Sequence, residues 1–376
     1  MQRRTDIVIS ANSTWNIVNF RRGLIEALAS QGYRLTAIAP ADEQSAVPTF
    51  LPCETVAIAI DRSGINPLRD LGLLWSYYRA LLKLRPAAYV SYTIKPNIYG
   101  ALAARWAGVL SLPNVSGLGT AFINDSLFTR FVGGLYRAAF RKSVVVFFQN
   151  PDDRDLFVER RIVRAEQARL LPGSGIDLDH FKPGPETNDG PPTFLFIGRL
   201  LGDKGVREFA EAARLLKSEM PGARFQLLGA IDDGNRSAVA CDELTRWVEQ
   251  GVVEYLGQRD DVRPFIREAT AVVLPSYREG LPRTLLEGAA LARPLVATDV
   301  PGNREVAIDG VTGLLCDARS ASSLAEAMRR MAEMSPERRV AMGKAGRKRV
   351  ESHFSEKVVI QSYVDALQQL IRCPGA

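Results

Sequence analysis

The sequence predicts a doubly wound α/β architecture built twice in one chain. Three observations carry that reading. Short β-rich runs alternate with helix-length amphipathic stretches along most of the chain. A polar stretch rich in Pro and Gly near the middle breaks the alternation, which then restarts. At 376 residues the chain is too long for one ordinary core, and 46% hydrophobic residues can fill two.

The elements follow in order. "DIVIS" reads as the first strand and precedes a helix near 17–30. "RLTAIAP" and "ETVAIAI" read as strands. Residues 67–85 have helical spacing, "AAYVSYT" is strand-like, 97–108 is helical, and "VVVFFQ" is a further strand. The stretch 126–142, "SLFTRFVGGLYRAAFRK", mixes Phe, Leu and Tyr with four basic residues. It reads either as a helix lying in a membrane interface or as a core helix with a basic outer face. Asn150 reads as a helix cap. Residues 170–192 form a linker, which puts one domain at 1–185 and the next at 186–354. "TFLFIG", "RFQLLG", "VVEYLG", "AVVLPS" and "PLVATD" are the strands of the second alternation, with helices between them. From about 320 the chain is helical, in three segments broken near Pro336 and Ser355. The last segment, 355–372, is expected to pack back on the first domain.

Composition narrows the chemistry. The chain has two histidines, His180 and His353, which argues against a His-based metal cluster or a Ser-His-Asp triad. Cys53, Cys241, Cys316 and Cys373 form no C-x-x-C pair and read as free thiols of a reducing cytoplasm. No run of 18 or more apolar residues suggests a membrane span. Residues 1–185 hold 22 Lys/Arg against 15 Asp/Glu, and the remainder 26 against 27. The positive excess therefore lies in the first domain and predicts an anionic partner there, phosphates or a membrane surface. No nucleic-acid-binding motif is present. Asp153–Arg154–Asp155 and Asp177–Leu178–Asp179 fit D-x-D, but they read as a helix start and a linker, and no metal is expected.

Two stretches carry chemistry. In "FLFIGRLLGDKGVREFAEAARLL" a strand ends at Gly198, and Arg199 and Lys204 flank the route to a helix whose buried face is Val206, Phe209, Ala210 and Ala213. Two cations near a helix N-terminus suit a diphosphate and its charge as it leaves. The plain alternative is a pair of exposed cations on a turn. In "YREGLPRTLLEGAA", Pro282 suits the first helical position. Glu279 stands beside Gly280, where a ligand can approach the backbone, and Glu287 lies off the apolar face of the helix. A carboxylate accepts from vicinal hydroxyls, such as those of a sugar or ribose. The plain alternative for Glu287 is a surface pair with Arg283, four residues earlier.

The pattern G-R-x4-K-G followed by E-G-x-P-x4-E resembles that of retaining nucleotide-sugar glycosyltransferases of family 4, with "YLGQRDDV" and "VPGNREVAIDGVTGLLCD" as matching flanks. The resemblance implies the GT-B fold: two Rossmann-like domains facing across a cleft. It implies that Arg199 and Lys204 bind the donor diphosphate and that Glu287 binds the ribose. Glu279 would face the transferred sugar, positioned with the Gly280 and Leu281 amides. Gly198 would lie at the donor, and the turn from Gly257 to Arg259 would hold the base.

"STWNIVNFRRGLIEAL", "SYTIKPNIYGALAA", "VSGLGTAF", "FFQNPDDRDLF" and "LPGSGIDLDHF" resemble a narrower subgroup. Its members are bacterial transferases that add N-acetylgalactosamine to an undecaprenyl-diphosphate-linked sugar. Two departures stand out. "ANSTWN" replaces the Gly-Gly turn of many members, and "YTIKPN" offers Thr93 and Lys95 where many carry a histidine. Lys95, Thr93 and Arg21 are therefore candidates for an acceptor diphosphate or the donor phosphates. The implied activity moves an N-acetylhexosamine from a UDP-sugar, without metal or cofactor, at the cytoplasmic face of a membrane to which the protein binds peripherally. The rivals are a nucleotide-sugar epimerase of the same fold and a non-catalytic polysaccharide-assembly protein.

Overall fold

The computed structural model describes residues 5–40, 50–61, 66–118, 127–184, 190–232, 234–235 and 237–372. Residues 119–122 of the "VSGLGTAF" stretch, Ser126, linker residues 185–189 and Cys373 lie outside them. The chain divides into two compact units, Met1–Ser174 with Glu356–Ala376, and Gly175–Ser355.

The first unit runs β1 (Asp6–Ser10), α1 (Thr14–Phe20), α2 (Arg22–Ser30), β2 (Arg34–Ala39), β3 (Glu54–Ala57), α3 (Pro67–Leu84), β4 (Ala88–Tyr92), a π turn over Pro96–Gly100, α4 (Ala101–Trp106), β5 (Leu110–Val115), α5 (Leu127–Phe140), β6 (Val146–Phe148), α6 (Pro151–Glu159) and β7 (Ala168–Leu170). Its seven strands lie in the order β3-β2-β1-β4-β5-β6-β7, every pair parallel. Helices must cover both faces of such a sheet, so its central strands are buried and largely apolar. All five residues of β4 are buried. The edge strands are not: β3 is mostly exposed, which ends the expected "ETVAIAI" strand at Ala57, and polar β7 escaped the sequence reading.

The helix expected near 17–30 is two helices. Arg21, at φ −125° and ψ 0°, interrupts it, and Ser13 caps the first by accepting from the Asn16 N–H at 3.1 Å. Asn150 caps α6, its side chain accepting from the Asp153 N–H at 2.8 Å. α5 buries Thr129, Val132, Tyr136 and Phe140. It is a core helix, with Leu127, Phe128 and Phe131 exposed on its other side. The C-terminal helix (Glu356–Arg372) places Val359, Tyr363, Leu367 and Leu370 in the core of this unit. Among the described residues, no helix is long and apolar enough to cross a membrane.

The second unit runs β8 (Thr193–Ile197), α7 (Val206–Lys217), β9 (Arg224–Leu228), α8 (Cys241–Glu249), β10 (Glu254–Tyr255), α9 (Arg263–Glu268), β11 (Ala271–Leu274), α10 (Arg283–Ala290), β12 (Leu295–Thr298), α11 (Asn303–Val306), β13 (Gly313–Cys316), α12 (Ala321–Glu333) and α13 (Pro336–His353). The six parallel strands lie in the order β10-β9-β8-β11-β12-β13. The division falls at Ser174/Gly175 rather than 185/186. The Ile176 N–H bonds the Phe354 carbonyl at 2.9 Å, and Phe181 lies in the second core. Asp177 caps a turn here, accepting from the Asp179 and His180 amides at 2.9 and 3.0 Å. Pro282 is the N-cap of α10 and not its first helical residue.

Candidate functional site

In each sheet the strand order reverses once, between β1 and β4 and between β8 and β11. Ligands of doubly wound sheets sit beyond the carboxyl ends of strands at such a point. In the second unit the reversal explains why the two motifs belong together. β8 and β11 are hydrogen-bonded neighbours, with Phe196 opposite Val273. Lys204 follows one strand and Glu279 the other, 75 residues apart in sequence, yet the Lys204 Nζ lies 2.5 Å from the Glu279 Oε1. Both side chains are largely shielded, at 28% and 12% exposure.

Glycines make this approach possible. After β8 the chain turns through Gly202–Lys204 into Gly205, at φ +74°. A Cβ on Gly205 would stand 2.1 Å from the Pro275 carbonyl oxygen on the β11 exit. The Tyr277 N–H bonds the Asp203 carbonyl at 3.0 Å, and the Tyr277 hydroxyl reaches the Glu208 carboxylate on α7 at 2.6 Å. From the other side Gly302, at φ +84°, presses the "VPGN" turn onto the Glu279–Gly280 backbone, where a Cβ would meet the Gly280 carbonyl oxygen at 2.4 Å. Beneath it Asn303, fully buried, donates to the Thr298 hydroxyl oxygen at 2.9 Å, and that hydroxyl donates to the Ser276 carbonyl at 2.5 Å. The sequence reading took this flank only as a match and missed its supporting role.

Arg199 pairs with Asp232 at 2.7 Å. Asp232 lies on the loop after β9, and only the sheet order brings it to Arg199. Gly198 is held by its N–H to the Leu228 carbonyl at 3.0 Å. Gly257 follows β10, and its carbonyl accepts from the Gly229 N–H at 2.9 Å, while Arg259 is exposed. The predicted base, diphosphate and sugar positions thus follow the carboxyl ends of β10, β9, β8 and β11. Four strands at ~4.8 Å spacing span roughly 14 Å.

The Thr284 hydroxyl donates to the Ile197 carbonyl at 3.1 Å and fastens the start of α10 to the end of β8. Arg283 Nε lies 2.9 Å from Glu287 Oε1, so the plain pairing expected for Glu287 is present. Burial pushes the Glu287 carboxyl above its ordinary range, and the Arg283 charge opposes that shift. The Leu281 N–H, just before α10, has no hydrogen-bond partner among the described residues.

In the first unit the structure separates the three acceptor candidates. Lys95 Nζ lies 2.6 Å from Asp70 Oδ1, and the Tyr99 hydroxyl donates to the other oxygen at 2.9 Å. That lysine is neutralised and mostly buried. Thr93 follows β4 at φ +68°, an uncommon conformation for a β-branched residue, and its hydroxyl donates to the Tyr92 carbonyl at 2.5 Å. Arg21 is 4% exposed, with its guanidinium carbon 3.5 Å from the centroid of the Tyr92 ring. Its Nε has no hydrogen-bond partner, and it forms no ion pair among the described residues. A polar network stands behind Tyr92, in which the Asn114 amide donates to the Tyr363 hydroxyl at 2.9 Å and the Gln149 amide donates to Asn114 at 3.2 Å.

Comparison with known proteins agrees with this geometry. Residues 17–173 match the family described as "Glycosyl transferase 4-like domain", and residues 191–334 match "Glycosyl transferases group 1". The N,N'-diacetylbacillosaminyl-diphospho-undecaprenol alpha-1,3-N-acetylgalactosaminyltransferase of Campylobacter jejuni is 27% identical over 374 residues, covering 95% of this chain and 96% of that protein. The UDP-Gal:alpha-D-GlcNAc-diphosphoundecaprenol alpha-1,3-galactosyltransferase of Escherichia coli is 24% identical, with 72% of each chain covered. Among solved structures, a sucrose-phosphate synthase from Thermosynechococcus elongatus superposes with a TM-score of 0.82 at 21% identity, covering 98% of this chain and all of that one. Anabaena HepE in complex with UDP and glucose gives 0.78 at 18% identity, over 97% of this chain and 99% of that one. Both domain families, a relative matched over nearly its whole length and the twice-wound fold agree: the chain belongs to the family 4 glycosyltransferases of the GT-B fold.

Proposed function

We propose that the enzyme transfers a sugar, an N-acetylhexosamine in the first instance, from a UDP-sugar to a polyprenyl-diphosphate-linked sugar in envelope glycan synthesis, with retention of configuration. The observation that carries the donor half is the Lys204–Glu279 pair at the reversal of the second sheet. The acceptor half is supported by the C. jejuni and E. coli relatives, whose names both specify a sugar on diphospho-undecaprenol. Arg199 and Lys204 neutralise the departing UDP, a role for protein cations without a metal. Glu279 orients the transferred sugar with the Gly280 and Leu281 amides. Glu287 accepts from the ribose hydroxyls, and the Gly257–Arg259 turn holds the base. The leaving phosphate takes the acceptor proton on the same face, so no histidine is needed near Thr93 and Lys95. The acceptor diphosphate is met from the first unit, where Arg21 offers a charge with no carboxylate against it among the described residues.

We further propose that the protein works as a peripheral protein at the cytoplasmic face of the membrane that carries this acceptor. The exposed Leu127, Phe128 and Phe131 of α5 support a shallow docking surface.

A panel of UDP-sugars incubated with a short-chain polyprenyl-diphosphate-linked sugar, with products read by mass spectrometry, tests the reading. One added hexosamine with an α linkage is the expected product. Epimer or free sugar formed from donor alone, with the acceptor unchanged, overturns it.

A further inference from the structure

We infer that a groove on the outer side of α5 binds the phosphate of an anionic phospholipid headgroup. The inference rests on the peripheral-membrane reading above and adds to it a site and a ligand. The groove encloses about 760 Å³ between α5, the end of α4 and the segment after α6. Arg105, Arg137, Arg141, Arg161 and Arg164 line it, and no Asp or Glu does.

Among the described residues, most of the charges there are not set against a carboxylate, unlike several arginines of the second unit. Arg207, Arg224 and Arg329 each pair with a glutamate. In the groove only Arg164 does so, with Glu166. Arg137 donates to the Arg160 and Arg161 carbonyls at 2.8 and 2.9 Å, and Arg105 to the Ala138 carbonyl at 2.9 Å. Backbone carbonyls at helix ends orient these guanidiniums without cancelling their charge. Arg141 and Arg161 are exposed and form no ion pair among the described residues. Planar guanidiniums arrayed in this way suit the oxygens of a phosphate, which can accept two of them in bidentate fashion.

The surroundings select a lipid phosphate over one in solution. Leu127, Phe131, Gly134 and Ala138 succeed one another at helical spacing and so share one face of α5, and Arg141 follows directly after the helix ends. Leu127 is 84% and Phe131 63% exposed, and Trp106, next to Arg105, is 56% exposed. Large apolar side chains left in water beside an arginine groove suit a headgroup below and acyl chains beyond.

Flotation with phosphatidylcholine vesicles, with and without phosphatidylglycerol, tests the site. Binding of the parent is expected to rise with phosphatidylglycerol content. Arg141→Gln with Arg161→Gln, neither of which forms an ion pair among the described residues, should weaken that binding roughly thirty-fold, the effect of two cations near an anionic leaflet. Gly134→Gln removes no charge. A Cβ at 134 meets nothing within 4 Å, so the new side chain projects into the groove and should also abolish the preference for phosphatidylglycerol. Unchanged flotation of either variant overturns the assignment. So does equal displacement of the parent by millimolar glycerol phosphate at constant ionic strength, which would mark a site for soluble phosphates. Transfer to a short soluble acceptor should survive in both variants, and its loss would show that the groove serves the chemistry instead. If the parent itself transfers nothing to that acceptor, the proposed reaction fails while the vesicle result still stands.

Discussion

At the carboxyl ends of the second sheet, Lys204 faces Glu279 at 2.5 Å and Arg199 faces Asp232 at 2.7 Å. At the corresponding end of the first sheet, Lys95 faces Asp70 at 2.6 Å, but Arg21 lies against the Tyr92 ring with no carboxylate against it among the described residues. The same doubly wound frame thus holds its cations in two ways. A carboxylate partner fixes a cation firmly, yet an incoming diphosphate must compete with it. A cation held by an aromatic face keeps its charge for a ligand and bears a larger desolvation cost. The second unit sets both of its cations at this end against carboxylates. The first holds one charge in reserve.

The sharpest way to break this comparison is at Lys204. Lys204→Ala removes a cation from the proposed leaving group and takes the Nζ contact at 2.5 Å away from the shielded Glu279 carboxylate. Loss of one such transition-state contact costs about 2.7–4 kcal/mol, roughly a hundred- to thousandfold in kcat. Glu279→Gln should lower the rate by a similar factor while UDP affinity holds, because the proposed partner of Glu279 is the sugar. If the two single losses multiply in the double variant, the residues act independently. A double variant no worse than the worse single one shows that they act as a unit. Full activity of Glu279→Gln would remove that residue from the chemistry.

A smaller effect sharpens the other side. Arg21→Gln should raise the KM for the lipid-linked acceptor about tenfold or more, since a hydrogen bond to a charged group contributes about 1.5–3 kcal/mol. UDP-sugar affinity should stay constant, and Arg21→Lys should recover part of the loss. Lys95→Gln should act differently, lowering thermal stability because Asp70 keeps only the Tyr99 hydroxyl. A fall in stability with unchanged KM in Arg21→Gln would reduce that arginine to a packing role on Tyr92.

Much of this arrangement was legible in the sequence where it is local. Periodicity gave the two α/β halves, and Gly280, Glu279 and Glu287 stood in a motif with a physical reason for each. What needed coordinates was set by sheet order. Asp232 meets Arg199 across a strand end, and Gly302 supports the Glu279 backbone from a turn after β12. No spacing within one element reports such contacts. The break at Arg21 was equally hidden, because its flanks both have helical spacing and only the Ser13 cap marks the true start. β7 escaped because an edge strand of three residues needs no apolar run. The boundary was misplaced because polar composition marks a loop, whereas Ile176 and Phe181 already pack in the second core.

The smallest expected effect tests the donor site through a proton. Burial raises the Glu287 carboxyl above its ordinary range, and Arg283 at 2.9 Å only partly offsets this. The proposed role requires the ionised form, which accepts from the ribose hydroxyls. Affinity for a UDP-sugar, whose diphosphate does not titrate in this range, should therefore fall as the pH drops through the raised value. The fall begins at a higher pH than for an exposed carboxylate, and a single proton limits it to about tenfold per pH unit. Stability should move the opposite way. Between the ordinary and the raised value the folded state binds more protons than the unfolded one, so this group's contribution to stability declines as pH rises through that window. Glu287→Gln should flatten both trends and weaken binding at neutral pH. Calorimetric titration of UDP-sugar and thermal melts, both across pH 4.5–7.5, measure the two. If affinity in the parent is level over that range, or if Glu287→Gln keeps the parent's slope, Glu287 does not hold the ribose and its bond to Arg283 is its whole role.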